Sequence, residues 1–466
     1  MMRSLFSGVS GLKNHQSRMD VIGNNISNVN TTGFKSSRVT FADTLNQTLT
    51  GAAAPNGTLG GTNPKQIGLG SAVSSIDLLF TDGSVQSTGK NTDLCLSGNG
   101  LFVVSNGSQT YYTRNGAFEF DADGNYTMPG SGLLVQGWTA TDGVLNTSSA
   151  VGDIKVPAGK SMAAQATSTA NYANNLNAAA PTIKTINGAT PTAPVTATTA
   201  DPVTIVMTDG TKVTETSGTY TVGYSLPVTT TLTIYDSLGN AHSVPIYFTK
   251  TDVDESGTTG NKWTVSLDSD ITKTTAAYTE EDGSTTTYTM NAITLQFNTS
   301  GKFVSGTGTP ALTLTNGSQT GQQVALNLSA LTQFAGNNTV NGTTNGNAAG
   351  TLESVSIDAS GIITGTYTNG VKQSEAQVAV AQFTNASGLT KTGSSLYQES
   401  NNSGTANIKT AADLGVKITA SALEMSNVDI ANEFADMIIT QRGFQSNSKI
   451  ITVGDEMLET VINMKR

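Results

Sequence analysis

Several stretches of this sequence hold residue types that could do chemistry, and each lacks a part that the chemistry needs. Gly83 to Lys90 approaches a phosphate-binding loop, where backbone N–H groups cradle phosphates, a Lys reaches them and a Ser or Thr holds magnesium. The spacing to Gly89-Lys90 is one residue too long, and Asn91 stands in place of the Ser or Thr. A turn before a strand is the better reading. Asp121-Ala122-Asp123-Gly124-Asn125 approaches a calcium loop, but an EF-hand needs Gly at its sixth position and Glu at its twelfth. Here Gly is fourth and the twelfth residue is Gly132, so a hairpin loop is expected. His15 and His242 are the only histidines, which leaves almost no raw material for a catalytic triad or a His-based metal site. The one cysteine, Cys95, excludes an intrachain disulfide framework, and between Leu94 and Leu96 it reads as a small buried hydrophobe. The expectation is a protein that is not an enzyme and has no cofactor and no metal.

Composition says which elements would have to position any site. The chain has 466 residues, a soft prior for about three domains. Only 12% of residues are charged and 6% aromatic, while Gly, Asn, Ser and Thr fill long stretches, as in a strand-and-turn protein with modest cores. A net charge of -10 with no Lys/Arg-rich block argues against nucleic acid and against an anionic membrane surface. No apolar run approaches the length that spans a bilayer. The start, Met1 to Gly8, lacks the apolar core and cleavage site of a secretory leader, so export is expected to use another route.

The two ends differ in kind from the middle. Leu5, Val9, Leu12, Met19, Ile22, Ile26 and Val29 step mostly by threes and fours, the pattern of an amphipathic helix that Asn30-Thr31-Thr32-Gly33 then stops. Near the other end, Ser426 three residues before Asp429 predicts a capping box. Ile430, Phe434, Met437, Phe444, Ile451, Leu458 and Ile462 follow on a heptad seam whose other positions are Gln441, Ser448 and Asp455. Helix-interior glycines cost about 1 kcal/mol each, so Gly8, Gly11 and Gly23 weaken the first helix by roughly 3 kcal/mol, and Gly443 and Gly454 the last by about 2. Both ends are therefore expected to order only when neighbouring subunits bury their stripes.

Between the ends the period changes to two. Leu101 to Val104, Asn106-Gly107, Tyr111 to Thr113, Asn115-Gly116 and Phe118 to Phe120 predict successive hairpins with type I′ turns, continued by a strand from Leu133 to Trp138. Strand islands follow at Val203 to Met207, Thr229 to Tyr235, Val244 to Thr249, Trp263 to Leu267 and Ile293 to Phe297 within a Thr- and Gly-rich region. Signals of the first type resume at Leu352 to Ile357, Ile362 to Tyr367 and Val378 to Phe383, which predicts that the chain returns to its earlier domain. The fold class expected is mixed and multi-domain: terminal α-helices forming a coiled coil, with two mainly-β domains nested between them.

Three stretches carry a family resemblance. Asn24, Asn25, Asn28, Asn30, Thr32, Gly33 and Phe34, within Gly23 to Lys35, closely resemble the N-terminal signature of flagellar rod and hook proteins. Ser426-Asn427-Val428-Asp429 with Gln441-Arg442-Gly443-Phe444 resembles the C-terminal one, and Asp93 to Val104 is similar to the opening of the family's inner β domain. Asn175-Leu176-Asn177 and Tyr235 to His242 resemble hook proteins in particular, and the large central region favours hook over the usually shorter rod proteins. Cys95 departs from the family's usual small residue, and residues 180–220 and 300–350 match nothing in the pattern. The resemblance implies a terminal helical domain (1–35 and 426–466), linkers (36–70 and 413–425), an inner β domain (71–150 and 352–412) and an outer β domain (151–351). It further implies a homopolymeric helical tube outside the cell, exported by the flagellar type III apparatus and meeting distal rod, hook cap and hook–filament junction proteins. The alternatives are a distal rod axial protein and a secreted β-rich surface adhesin.

Overall fold

The computed structural model describes residues 2–55, 57, 60–254, 260–279, 285–307, 311–314 and 321–464. Met1, Lys465 and Arg466 of the expected terminal domain lie outside the described residues. The chain is mostly strand, with one long α-helix near each end: α1, Met2–Ser27, and α2, Ile430–Asn463. It divides into two compact units, 1–160 with 352–366 and 372–466, and 161–351 with 367–371.

In the first unit, Leu101–Ser105 lies between Thr110–Thr113 and Leu133–Thr139, and the latter pairs onward with Lys372–Val378, all antiparallel. Strand alternation explains the unbroken run Leu101 to Val104. Phe102 and Val104 enter one core with Phe118, Val135 and Val378, while Leu101 and Val103 enter a second with Tyr112, Ala381 and Tyr397. Both faces are buried, so no polar residue interrupts the pattern.

Two of the expected turns take other forms. Asn106-Gly107 opens a four-residue loop to Gln109, with Asn106 Oδ1 accepting from the Ser108 and Gln109 N–H groups. Asn115-Gly116 closes no hairpin. Gly116 runs against Leu94, whose N–H donates to the Gly116 carbonyl, and a Cβ there would lie 1.7 Å from the Leu94 oxygen. Glu119–Phe120 pairs instead with Tyr126–Met128.

The loop between those last two strands explains the calcium-like motif. Asp121 Oδ1 accepts from the N–H groups of Asp123 at 2.9 Å and Asn125 at 2.7 Å, and these bonds, led by one from the Asn125 side chain, hold its carboxyl below the usual range. The same five-residue device recurs at Asp236, Asn298 and Asp358. In each, Oδ1 accepts from the residues two and four positions on, and the fourth residue is a left-handed glycine. These side chains serve their own turns.

The second unit contains an antiparallel sheet of Val228–Tyr235, Ala241–Asp252, Lys262–Ser266, Ile293–Phe297 and Phe303–Thr307, and a six-stranded sheet in which Thr169–Asn177 and Gln322–Phe334 pair in parallel. Tyr172, Phe248, Trp263, Tyr288 and Phe297 fill the core they share. Ile183–Ile186, Val203–Met207 and Lys212–Glu215 form a small separate sheet with its own cluster of Ile183, Ile186, Ile205 and Met207.

Candidate functional site

Among the described residues no group of three or more His, Cys, Asp or Glu side chains is placed to hold a metal. The termini build a helix pair and a buried ionic clamp.

α1 and α2 pack antiparallel. Leu5 lies against Gly454 and His15 against Gly443, Arg18 bridges to Asp436 at 2.9 Å, and Asn25 Nδ2 donates to Glu433 Oε1 at 2.9 Å. Burial, with the Arg18 charge nearby, lowers the His15 imidazole below its ordinary pKa. The side of α2 turned to α1 runs Glu433, Asp436, Thr440, Gly443, Asn447, Ile451, Gly454, about one residue round from the expected seam. The glycines set this rotation. A Cβ on Gly11 would fall 2.5 Å from Asn447 Nδ2, one on Gly443 2.7 Å from the His15 ring and one on Gly454 2.8 Å from Leu5. Gly8, Gly11, Gly443 and Gly454 thus make room for side chains of the facing helix, while Gly23 faces open space. Gly443→Val is expected to force the helices apart at His15 at a cost of about 1–3 kcal/mol, read as faster proteolysis of both ends with the β units intact.

Asp429 rather than Ser426 caps α2. Its Oδ1 accepts from the Ala431 and Asn432 N–H groups, whereas the buried Ser426 Oγ accepts from Val428 N–H in the preceding segment. An anionic cap suits the positive end of the helix dipole.

The expected assembly residues divide by exposure. Ile22 is buried, and Leu5, Leu12, Met19, Ile26, Val29, Met437, Ile451 and Leu458 are half-buried. Val9 is 53% exposed, Phe434 49% and Ile462 65%, with Ile430 and Phe444 likewise open and Phe6, Ile438 and Ile439 beside them. One chain leaves these side chains uncovered. Of the signature residues, Asn25, Gly33, Phe34 and Ser426 are buried, Asn28, Thr32, Asn427 and Val428 half-buried, and Asn24, Asn30, Asp429, Gln441 and Arg442 exposed. Asn25 Oδ1 also accepts from Ser37 N–H at 3.0 Å, and Asn427 Oδ1 from Ser36 N–H at 2.8 Å, so both tie the chain leaving α1. Gly33, at φ +66°, lies so near Asn115 that a Cβ would sit 2.4 Å from its nitrogen.

The clamp centres on Glu424. Its Oε1 accepts from Lys35 Nζ at 2.7 Å and Gly83 N–H at 2.8 Å, and its Oε2 from Arg114 Nη1 at 3.1 Å. Arg114 Nη2 reaches Asp82 Oδ1 at 3.1 Å, Lys35 Nζ also donates to the Thr81 carbonyl at 2.6 Å, and the Gly33 N–H donates to the Glu424 carbonyl at 2.8 Å. Burial, reinforced by Arg114, pushes the Lys35 amine down. Glu424 and Arg114 escaped the sequence reading. The available signal was a lone charge set among buried strand residues in a chain with few charges.

Cys95 is buried beside this clamp, and burial, with the Glu424 charge, pushes its thiol up to about 11. At pH 8 roughly one thiol in a thousand is ionised, so Cys95 is expected to resist alkylation in the native protein and to react fully in denaturant.

The family models place these elements. "Flagella basal body rod protein" matches residues 5–35, "Flagellar hook protein FlgE/F/G D1 domain" 95–172, "Flagellar basal body protein FlaE D2 domain" 219–347 and "Flagellar basal body rod FlgEFG protein C-terminal" 419–464. A flagellar basal-body rod protein FlgG of Bacillus subtilis is 29% identical over the full length of both chains, so length alone does not separate hook from rod. The flagellar hook protein FlgE of Borreliella burgdorferi is 37% identical, also over the full length of both. With the Treponema pallidum flagellar hook protein FlgE 40% identical across 100% of each chain, this chain belongs to the flagellar hook protein FlgE family.

Proposed function

We propose that the chain is the structural subunit of the bacterial flagellar hook, polymerising through its terminal helices into a curved helical tube around an export channel. The observation that carries this is the stripe Val9, Ile430, Phe434, Phe444 and Ile462, apolar and uncovered on a helix pair whose glycine-lined side is already occupied. Burying it against neighbouring copies would release roughly 25 cal/mol for each Å² removed from water. In this reading residues 1–35 and 426–466 form the coiled-coil layer, 71–150 with 352–412 an inner β domain and 151–351 an outer one nested between. The weakly charged β surfaces exchange contacts at small energetic cost, which lets the tube bend while it transmits torque. Distal rod, hook cap and hook–filament junction proteins, together with a type III export apparatus, are the partners that role requires, outside the cell. Electron microscopy of the purified full chain tests it. Short curved tubes are expected, and a protein that stays monomeric at high concentration counts against the proposal.

A further inference from the structure

Residues 173–218 fall between two family-model matches, and part of this stretch forms the small sheet with its own apolar cluster. Where that sheet's neighbourhood meets the strand Ala241–Asp252 and the turn after Lys262–Ser266, a cavity of about 210 Å³ opens. It is smaller than the roughly 300–1,000 Å³ pockets that take drug-sized ligands, and suits one small ring. Thr249 lines it at 4% exposure, and its Oγ1 is buried without a hydrogen bond. Around it stand Tyr220, Tyr224, Pro194 and Pro227, flat apolar surfaces, and Asp270, whose Oδ1 is fixed by the Thr272 N–H at 3.0 Å and hydroxyl at 2.7 Å.

The lining selects by chemistry. It contains no Lys or Arg, so a phosphate or carboxylate would be desolvated without compensation. One carboxylate among neutral hydroxyls is a poor match for calcium, which takes six to eight oxygen ligands, several of them carboxylates. Hydroxyls and a fixed carboxylate beside flat apolar faces match a neutral polyhydroxylated ring, polar at its edge and apolar on its C–H face. We propose that this cavity is a subsite for a single neutral sugar residue, a binding function independent of the terminal helices.

Saturation-transfer NMR on the full chain tests it, with methyl α-glucoside, methyl β-galactoside and N-acetylglucosamine as probes. Transfer from at least one sugar is expected. Asp270→Asn keeps the turn's acceptor for Thr272 but removes the charge that strengthens a bond from a sugar hydroxyl, and should weaken binding about fivefold. Thr192→Trp, at an exposed position of the lining, should abolish it by filling the cavity, with an unchanged melting temperature showing that the variant is folded. Absence of transfer from all three sugars, or transfer undiminished in Thr192→Trp, overturns the proposal.

Discussion

Glu424→Ala should cost the fold about 3–5 kcal/mol, because it strands Lys35 and Arg114, at 0% and 1% side-chain exposure, without their shared carboxylate. Removing one partner of a buried pair exposes the desolvation penalty of the other, and here two cations lose the same partner. The loss depends on pH in a definite sense. Burial already holds the Lys35 pKa below its ordinary value, and Glu424 is one of the groups that raise it. Without Glu424 it falls further, so the folded variant binds that proton less tightly than the unfolded chain does. Stability of the variant therefore rises with pH as Lys35 sheds its charge, and the deficit against the parent narrows at alkaline pH. Arg114 loses the same carboxylate whatever the state of Lys35, so the deficit does not vanish. Urea unfolding between neutral and alkaline pH checks this, and a deficit that widens with pH would contradict it.

Truncation before α2 has the larger functional effect. A chain ending at Asp429 keeps Glu424 and Asn427, hence the whole clamp, but loses the helix that packs on α1 and most of the exposed stripe. Complete loss of tubes is expected by electron microscopy, with the β-sheet circular dichroism and melting temperature little changed. A chain ending at Ser421 removes only a few residues more, yet takes Glu424 and Asn427 with it and should unfold the first unit. Tubes formed by the longer truncation would overturn the role given to α2.

Period and spacing made much of this fold legible. Ile293 to Phe297 and Val203 to Met207 are strands as expected, because alternation of apolar with polar residues survives any context that buries one face. The helices were equally plain, but their facing sides were not. A heptad count follows the large apolar residues, whereas α1 and α2 meet through Gly11, Gly443 and Gly454 and leave Phe434 and Phe444 outside. A glycine that makes room for a facing side chain has no hydrophobic signature, so sequence reads it as helix-weakening. The clamp was hidden for another reason: Lys35 and Glu424 are 389 positions apart, and no local pattern couples them. Gly116 shows the same limit at short range, since the contact that demands a glycine there comes from Leu94 and not from a turn.

Antiparallel pairing of the first helix with the last also imposes an order in time. About 400 residues separate the end of α1 from the start of α2. At the ~5–20 residues per second of synthesis, roughly 20–80 s pass before α1 can meet its partner. Through that interval α1, marginal in isolation, has only the early strands Ser37–Asp43 and Ser71–Leu78 to rest on, through bonds such as Asn14 Nδ2 to Ser71 Oγ and Ser37 N–H to Asn25 Oδ1. α1 can thus settle one of its sides early, while the side that meets α2 waits for the far end of the chain.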